Sequence, residues 1–252
     1  YLCLMEDSTI IFGIRAILEA IKAGKEIEKL YLLQDLKGDL AKELKKTIAD
    51  QNLAKSYVPI EKLNKLAKNQ NHQGAVAKIS VVKTIELHEV IEKLLKKDSP
   101  ALVLLLDQIT DVRNFGAILR TAECTGVDAV VFPKQGNAPI NAETIKTSAG
   151  AAFNLPLCRV DHSLDAIYAF QQAGFKAVAV TEKTDTLLYE LTFEEPTVLI
   201  MGSEEKGISN GILKIVDAKG KLPLLGKIES LNVSVACGAA LYEIVRQRLL
   251  LS

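Results

Sequence analysis

Residues 101–120 read ALVLLLDQITDVRNFGAILR, in which a strand-length apolar run, 101–106, leads through a polar turn into a helical stretch at 115–125. Further apolar runs of strand length follow at 129–132, 177–180 and 197–201. Helical segments lie between them, for example 163–173, for which Ser163 is a candidate N-cap. Near-continuous apolar strands that alternate with helices are typical of a parallel sheet covered on both faces. This region is therefore predicted to be an α/β domain.

The residues before this region predict a second, smaller α/β unit. Isoleucine and leucine residues between positions 14 and 21 recur with the spacing of one helix face, and Gly24 lies just past the predicted end. The other predicted elements are a strand at 30–33, a helix at 40–48, an edge strand at 57–60, a short helix at 63–66 and a strand at 74–79. A helix is also predicted at 84–97, before Pro100. The predicted organisation is a domain over 1–80, a linker helix within 81–100 and a larger domain over 101–252.

Composition and charge narrow the classes of function. The chain has 252 residues, of which 48% are apolar and 25% charged, with a net charge of zero, as in a soluble globular protein. Residues 1–80 hold 13 Lys and Arg against 10 Asp and Glu, whereas residues 101–252 hold 14 against 17. Any nucleic-acid surface is therefore expected to be local and to lie toward the N-terminal part. The candidate phosphate contacts there are Lys22, Lys25, Lys29 and Lys42, although an ordinary solvated lysine face explains each of them equally well.

Membrane, secretion and metal classes are not expected. No apolar run approaches the roughly 20 residues of a membrane span, and the first residues lack the pattern of a secretory signal, so we expect a cytoplasmic protein. The cysteines show no CxxC spacing and are expected to be small buried apolar residues in a reducing compartment; they are Cys3, Cys124, Cys158 and Cys237. The three histidines lie far apart along the chain, so no metal site is expected.

Two polar segments follow predicted strands of the larger domain. In NFGAILR, 114–120, Asn114 is a candidate helix cap, Gly116 allows a close approach, and Arg120 is one of only six arginines. An ordinary capped helix with a solvated arginine would look the same. In LIMGSEEKGIS, 199–209, a predicted strand leads into a loop that has two glycines with a carboxylate between them. An ordinary turn between a strand and a helix would have a similar sequence. No GxGxxG sequence occurs in the chain, which disfavours a dinucleotide-binding enzyme.

The third segment, LPLLGKIESLNVSVA at 222–236, predicts a short strand, a polar turn and the start of a long helix. Ser230 and Asn232 are candidate caps, and polar groups entering so apolar a helix need partners, of which a ligand is one. The helix predicted from Val233 to Leu251 is apolar on most of its faces, whereas packing against the rest of one chain requires only one apolar face. We therefore expect a homodimer that uses part of this helix.

In this order, the patterns N-x-G-x-x-x-R, G-x-E-x-x-G and P-x-x-G-x-x-x-S-L-N-V-S resemble the three motifs of the SpoU/TrmH-type RNA 2′-O-ribose methyltransferases of the SPOUT superfamily. The resemblance covers residues 101–252. Residues 12–14 and 71–74, FGI and NHQG, are similar to the small substrate-binding domain of the branch that modifies guanosine in 23S ribosomal RNA. The resemblance implies a C-terminal domain that contains a deep trefoil knot, an N-terminal α/β RNA-binding domain and a homodimer. It also implies an S-adenosylmethionine site at Thr181, Gly202, Leu222 and Leu231.

The resemblance also implies roles for five side chains. Arg120 matches the family's catalytic arginine, and we expect it to hold the target phosphate and stabilise alkoxide charge, because a guanidinium keeps its proton in proteins. Glu204 is expected to orient Arg120 or to accept the proton of the hydroxyl. Asn114, Ser230 and Asn232 would orient the ribose and the cofactor.

Two other functions stay open at this point. A tRNA guanosine 2′-O-methyltransferase of the same family is less expected, because the chain has a separate N-terminal domain. A ribosomal-RNA-binding protein without catalysis would be favoured by loss of Arg120 or Asn232, and both are present. The sequence does not identify the nucleotide or the RNA that is modified.

Overall fold

The computed structural model describes residues 9–22, 24–79, 82–228 and 230–250. The chain divides into two compact units, of which the first extends to Lys83 and also includes Pro139–Ala142. The second unit comprises Thr84–Ala138 and the chain from Glu143 onward. The expectations for Cys3 and for the N-terminal signal lie outside the described residues.

The first unit is built on a four-stranded sheet. Its elements are β1 (Thr9–Phe12), α1 (Ile14–Lys22), β2 (Ile27–Leu32), α2 (Asp39–Asp50), β3 (Lys55–Tyr57), α3 (Ile60–Leu66) and β4 (Ala75–Ile79). The strand order is β1-β4-β2-β3; β4 is antiparallel to both of its neighbours, and β3 is parallel to β2. The edge strand predicted at 57–60 is wrong in its bounds: the observed edge strand, β3, ends at Tyr57, and Pro59 caps α3, which begins at Ile60. The sequence pattern did not predict β1.

From residue 84 onward the chain forms the second sheet and its helices. The elements are α4 (Leu87–Leu94), β5 (Leu102–Asp107), α5 (Val112–Cys124), β6 (Ala129–Pro133), α6 (Ala142–Thr147), β7 (Leu157–Val160), α7 (Ser163–Gln172), β8 (Lys176–Val180), β9 (Thr197–Gly202), α8 (Asn210–Ile215), β10 (Ala218–Gly220) and α9 (Val233–Leu249). The strand order is β10-β8-β9-β5-β6-β7, and every pairing is parallel. The predicted parallel sheet is confirmed.

Helices cover both faces of this sheet. On one face, residues of α4, α7 and α8 join alternate residues of the strands in a single buried cluster. On the other face, α5 packs on α9, and the Phe115 ring of α5 meets Phe132 of β6 edge to face at 5.2 Å. Because both faces are covered, all residues of β5, β6 and β9 are buried. The apolar runs seen in the sequence therefore have a direct structural cause.

Several predicted local features differ in the structure. Val90 and Leu94 of α4 are buried in the core of the second unit, so this helix is a part of that unit and not a free linker. Ser163 is the first residue of α7 instead of its cap, a position that His162 occupies. The short strand predicted near Leu222 is not formed there, and the last strand of the sheet is β10, directly before it. The trefoil knot stays a prediction.

Candidate active site

Three loops meet at the carboxyl edge of the parallel sheet, where open α/β sheets bind ligands. They follow β5, β8 and β9, which are neighbours in the sheet. Asp107, buried at the end of β5, accepts a hydrogen bond of 2.9 Å from the backbone N–H of Ser209. This bond ties the end of β5 to the loop after β9, across 102 residues of sequence.

The loop after β9 folds tightly back on its own strand. The backbone N–H of Gly207 donates to the carbonyl of Ser203 at 2.9 Å. A Cβ atom on Gly202 would lie only 2.2 Å from the carbonyl carbon of Gly207. Because the obstacle is backbone, only glycine fits at position 202, and it sets the path of the loop that carries Glu204.

A cleft of about 480 Å³ opens between these loops and the segment that precedes α9. Thr181, Gly202, Leu222 and Leu231, the four positions that the resemblance gave for the cofactor, all line it. Glu204 and Ser230 line it too. Other residues that line the cleft were not predicted: Glu182, Lys183 and Lys221. Charged residues in turns usually indicate only solvent exposure, so the sequence carried no signal for them.

Asn232 connects the motif segments through hydrogen bonds from both ends of its amide. Its Nδ2 donates to Glu204 Oε1 and, at 3.0 Å, to Asn114 Oδ1. Its Oδ1 accepts from the backbone N–H of Ser234 at 3.0 Å and thereby caps α9. Glu204 Oε1 also accepts from the backbone N–H of Val233 at 3.2 Å. The amide of Asn232 is thus held in one orientation by groups from three motifs.

The observed helix caps agree with the predicted ones only in part. The prediction that Asn232 caps α9 is confirmed, whereas Ser230 lies two residues earlier, exposed at the rim of the cleft. Asn114 is not a cap, because Asp111 caps α5 by accepting from the backbone N–H of Asn114 at 2.8 Å. This leaves the side chain of Asn114 available to Asn232. A second cleft, of about 440 Å³, lies between the Asp111 turn and the Glu204 loop, so Glu204 lines both clefts.

Arg120 is not brought to the other four predicted catalytic residues by a direct contact. Its side chain is exposed and makes no hydrogen bond or ion pair with another described residue. The expected contact between Glu204 and Arg120 is therefore absent from the described chain, since Glu204 bonds to Asn232 and Val233 instead. The close approach at Gly116 serves packing, because a Cβ there would lie 1.8 Å from Thr147 Oγ1.

The described cysteines do not line either cleft. Burial raises the pKa of the Cys158 and Cys237 thiols to about 12, so both are inert apolar residues as predicted. The same prediction is wrong for Cys124, which is exposed at the end of α5. Among the described residues, no three histidine, cysteine or carboxylate side chains are grouped to hold a metal ion. No helix in the described ranges is both long and apolar enough to cross a membrane.

The chain is similar to known proteins over both units. The profile of the SpoU rRNA methylase family matches residues 101–242, and a profile for RNA 2′-O ribose methyltransferase substrate binding matches residues 10–84. A putative TrmH family tRNA/rRNA methyltransferase of Staphylococcus aureus is 33% identical, with 97% of this chain and 98% of that protein covered. An uncharacterized tRNA/rRNA methyltransferase of Synechocystis is 32% identical over 96% of this chain, which spans 64% of that longer protein.

A solved structure gives the same result. The SpoU methyltransferase AviRb of Streptomyces viridochromogenes, crystallised with AdoMet, has a TM-score of 0.60 and 26% identity, with 95% of this chain and 90% of that chain covered. The profile match over the second unit includes β5, the Glu204 loop and most of α9. The chain belongs to the SpoU rRNA methylase family.

Proposed function

We propose that the protein transfers a methyl group from S-adenosylmethionine to a ribose 2′-hydroxyl of structured RNA in the cytoplasm. The proposed substrate is a guanosine of 23S ribosomal RNA. The observation that carries the proposal is that Glu204 lines two adjacent clefts and bonds to Asn232, which in turn bonds to Asn114. Such a site has room for a methyl donor on one side of the carboxylate and a ribose on the other.

The first cleft suits S-adenosylmethionine in size and chemistry. Its volume of about 480 Å³ lies within the range of small-molecule sites. Leu222, Leu224 and Leu231 offer apolar contacts for an adenine ring. Negatively charged carboxylates and positively charged ammonium groups line the same cleft. They match the charges of S-adenosylmethionine, which has two cationic groups and one carboxylate. When bound, S-adenosylmethionine supplies a methyl group that its sulfonium has already activated.

The protein's own side chains would align the acceptor hydroxyl. The Asn114 amide nitrogen makes no hydrogen bond with another described residue, so it is available to donate to a ribose oxygen. The second oxygen of Glu204, Oε2, is likewise without a donor among the described side chains and backbone groups, and is placed to accept the hydroxyl proton. Holding reacting groups in line contributes several kcal/mol, roughly 7–11 at most, to lowering a barrier.

Arg120 would act on the RNA instead of on the other site residues. It is exposed and has no carboxylate partner in the described ranges, so its planar fork is available to a phosphate. A guanidinium does not release its proton in proteins, which makes it a poor base and a good stabiliser of alkoxide charge.

The exposed side of α9 supports the proposed homodimer. Val235, Tyr242 and Leu249 are 56%, 57% and 69% exposed, and they recur every seven residues with exposed Ala239 between the first two. Residues at this spacing form one stripe along a helix. The other side of the same helix is buried in the second unit through Cys237, Leu241 and Ile244. A second copy of the chain is the proposed partner of the stripe.

Methylation of purified RNA tests the proposal. We expect the full chain with radiolabelled S-adenosylmethionine to label 23S ribosomal RNA from cells that lack the protein, and nuclease mapping to locate a 2′-O-methylguanosine. Arg120→Ala, which removes no hydrogen bond or ion pair among the described residues, is the inactive control. Labelling of tRNA instead would contradict the proposed substrate. Binding of ribosomal RNA with no methyl transfer would contradict the proposed activity.

A further inference from the structure

The sheet of the first unit has two unequal faces. One face is covered by α1 and α2 through a large buried cluster that includes Ile17, Leu30 and Leu44. Among the described helices of this unit, α3, of seven residues, packs on the opposite face and places Leu63 against Val76. Next to Leu63 and Val76, this face carries Lys29 and Tyr31 of β2 and Lys78 of β4.

Three lysines and one tyrosine lie together here, with Lys62 on α3 and Tyr31 packed against the Leu63 cluster. Lys29 Nζ is 5.8 Å and Lys62 Nζ 5.5 Å from the centroid of the Tyr31 ring. Lys78 of β4 is the register partner of Lys29 of β2. We name the group of Lys29, Tyr31, Lys62 and Lys78 the Tyr31 patch.

The positive charge of the Tyr31 patch is not balanced by ion pairs. None of its three lysines lies within ion-pair distance of a carboxylate in the described ranges. Lys29 and Lys78 are directly opposed across the strands, an arrangement that destabilises a sheet unless an anion compensates it. Burial first, and the nearby Glu28 carboxylate second, raise the pKa of Tyr31, so its ring carries no charge that repels a phosphate.

We propose that the Tyr31 patch binds an unpaired nucleotide of the RNA substrate, with its base on the Tyr31 ring and the adjoining phosphates on Lys29, Lys62 and Lys78. The inference rests on the proposed function, because it names the RNA feature that the first unit would recognise. Charge complementarity selects a polyanion, and the half-buried ring among the ammonium groups selects an exposed base face. A base in a duplex is already stacked on its neighbours and offers no free face to the ring.

Binding of a labelled RNA to the full chain tests the role of the lysines. The probe is fluorescein-labelled oligouridine, followed by anisotropy over a range of salt concentrations. We expect Lys29→Gln/Lys62→Gln/Lys78→Gln to weaken binding about tenfold and to reduce the slope of log K against log salt by about 2, since each single-strand contact contributes about 0.7.

A second triple variant is the matched control. Lys37→Gln/Lys46→Gln/Lys68→Gln removes the same charge from exposed positions of the same unit outside the patch. We expect it to change the affinity less than twofold. If both triple variants weakened binding equally, the effect would be one of net charge and the Tyr31 patch would not be the binding site.

Substitutions of Tyr31 test the role of the ring. Tyr31→Phe keeps a stacking surface and should bind oligouridine like the wild type. Tyr31→Leu fills similar apolar space without an aromatic face and should weaken binding about fivefold or more at an unchanged salt slope. The melting temperature of each variant reports whether the unit still folds. If Tyr31→Leu does not fold, Tyr31→Phe remains as the folded variant whose affinity tests the role of the ring.

Two further measurements separate this inference from the proposed function. Binding of S-adenosylmethionine, measured by calorimetry, should be the same in all patch variants; a chain that binds oligouridine through the patch but neither binds nor uses S-adenosylmethionine would contradict only the proposed function. Wild-type affinity for oligouridine in the lysine and Tyr31→Leu variants would overturn the inference and leave an acidic protein as the partner to test. An equal loss of affinity for a fully paired RNA would also overturn it.

Discussion

The two sheets of this protein differ in how much of them is covered. The second sheet is parallel and buried on both faces, and its polar side chains concentrate at the carboxyl edge. The first sheet is mixed, covered fully on one face and partly on the other, where lysines surround Tyr31. A sheet covered on both sides is a rigid support on which a few loops can be held for chemistry. A sheet with an open face offers area for recognition instead.

Truncation of a central ring should show this difference most strongly. Phe115→Ala removes a fully buried ring that contacts Phe132, and we expect it to destabilise the second unit by about 3–5 kcal/mol. Phe12→Ala removes a half-buried ring from the open face of the first sheet and should cost only about 1 kcal/mol. Hydrogen exchange of peptides from each unit measures both losses. Equal losses would show that the faces are equally packed.

The next largest effect is expected at Arg120. Arg120→Lys keeps the positive charge but loses the planar fork, and should lower transition-state stabilisation by about 2–4 kcal/mol, roughly 30- to 1,000-fold in rate. Single-turnover methyl transfer measures the rate, and S-adenosylmethionine affinity should not change. An ionisation in the pH–rate profile should disappear in Glu204→Gln. If it disappeared only in Arg120→Lys, the arginine would be the proton acceptor.

A smaller effect is expected at the start of α9. Asn232→Ala removes the cap of this helix and should destabilise the second unit by about 1 kcal/mol. Ser163→Ala is the matched control, because Ser163 is equally suited to capping by sequence but lies inside α7, and it should change stability by only a few tenths of a kcal/mol. Denaturant unfolding measures both. A cost at Ser163 as large as at Asn232 would contradict the assignment of the caps.

The smallest effect is expected on the stability of the fold at acidic pH. Hydrogen bonds from Arg246 lower the pKa of the buried Glu243 carboxyl below its ordinary value of 4.5. The lowered pKa stabilises the fold above that value, and this stability is lost as the pH falls through the folded-state pKa. Because Arg246 is 59% exposed, we expect less than about 1 kcal/mol. Wild type should lose more stability than Glu243→Gln between about pH 5 and about pH 3. Equal losses would contradict the assignment.

Most strands of the second sheet could be predicted because burial on both faces leaves an unbroken apolar run. The runs at 102–106, 129–132 and 197–201 match β5, β6 and β9 to within one residue. The short edge strands β7 and β10 were missed, since their sequences, LCRV and AKG, have only four and three residues and each contains a charged one. Edge strands contact one neighbour only, so their sequences carry a weaker pattern.

Several residues of the candidate site could be predicted from the sequence, but the hydrogen bonds between them could not. The family resemblance gave four residues that line the first cleft, including Thr181 and Leu231, but not Glu182 or Lys183. It did not identify Asp107 or Asp111, because an aspartate after a strand is also an ordinary turn residue. The resemblance offered Arg120 as one partner for Glu204, whereas the structure shows hydrogen bonds of Glu204 with Asn232 and Val233.

The sequence by itself determined the α/β class, the parallel sheet and the order of the motif loops, because hydrophobic periodicity and turn residues act over a few neighbouring positions. Only the tertiary structure decided which loops meet. Asn232 bonds to Asn114 across 118 residues and to Glu204 across 28, and these contacts depend on strand order and loop path. The Tyr31 patch has the same origin, since strand register and the short length of α3 bring its lysines together.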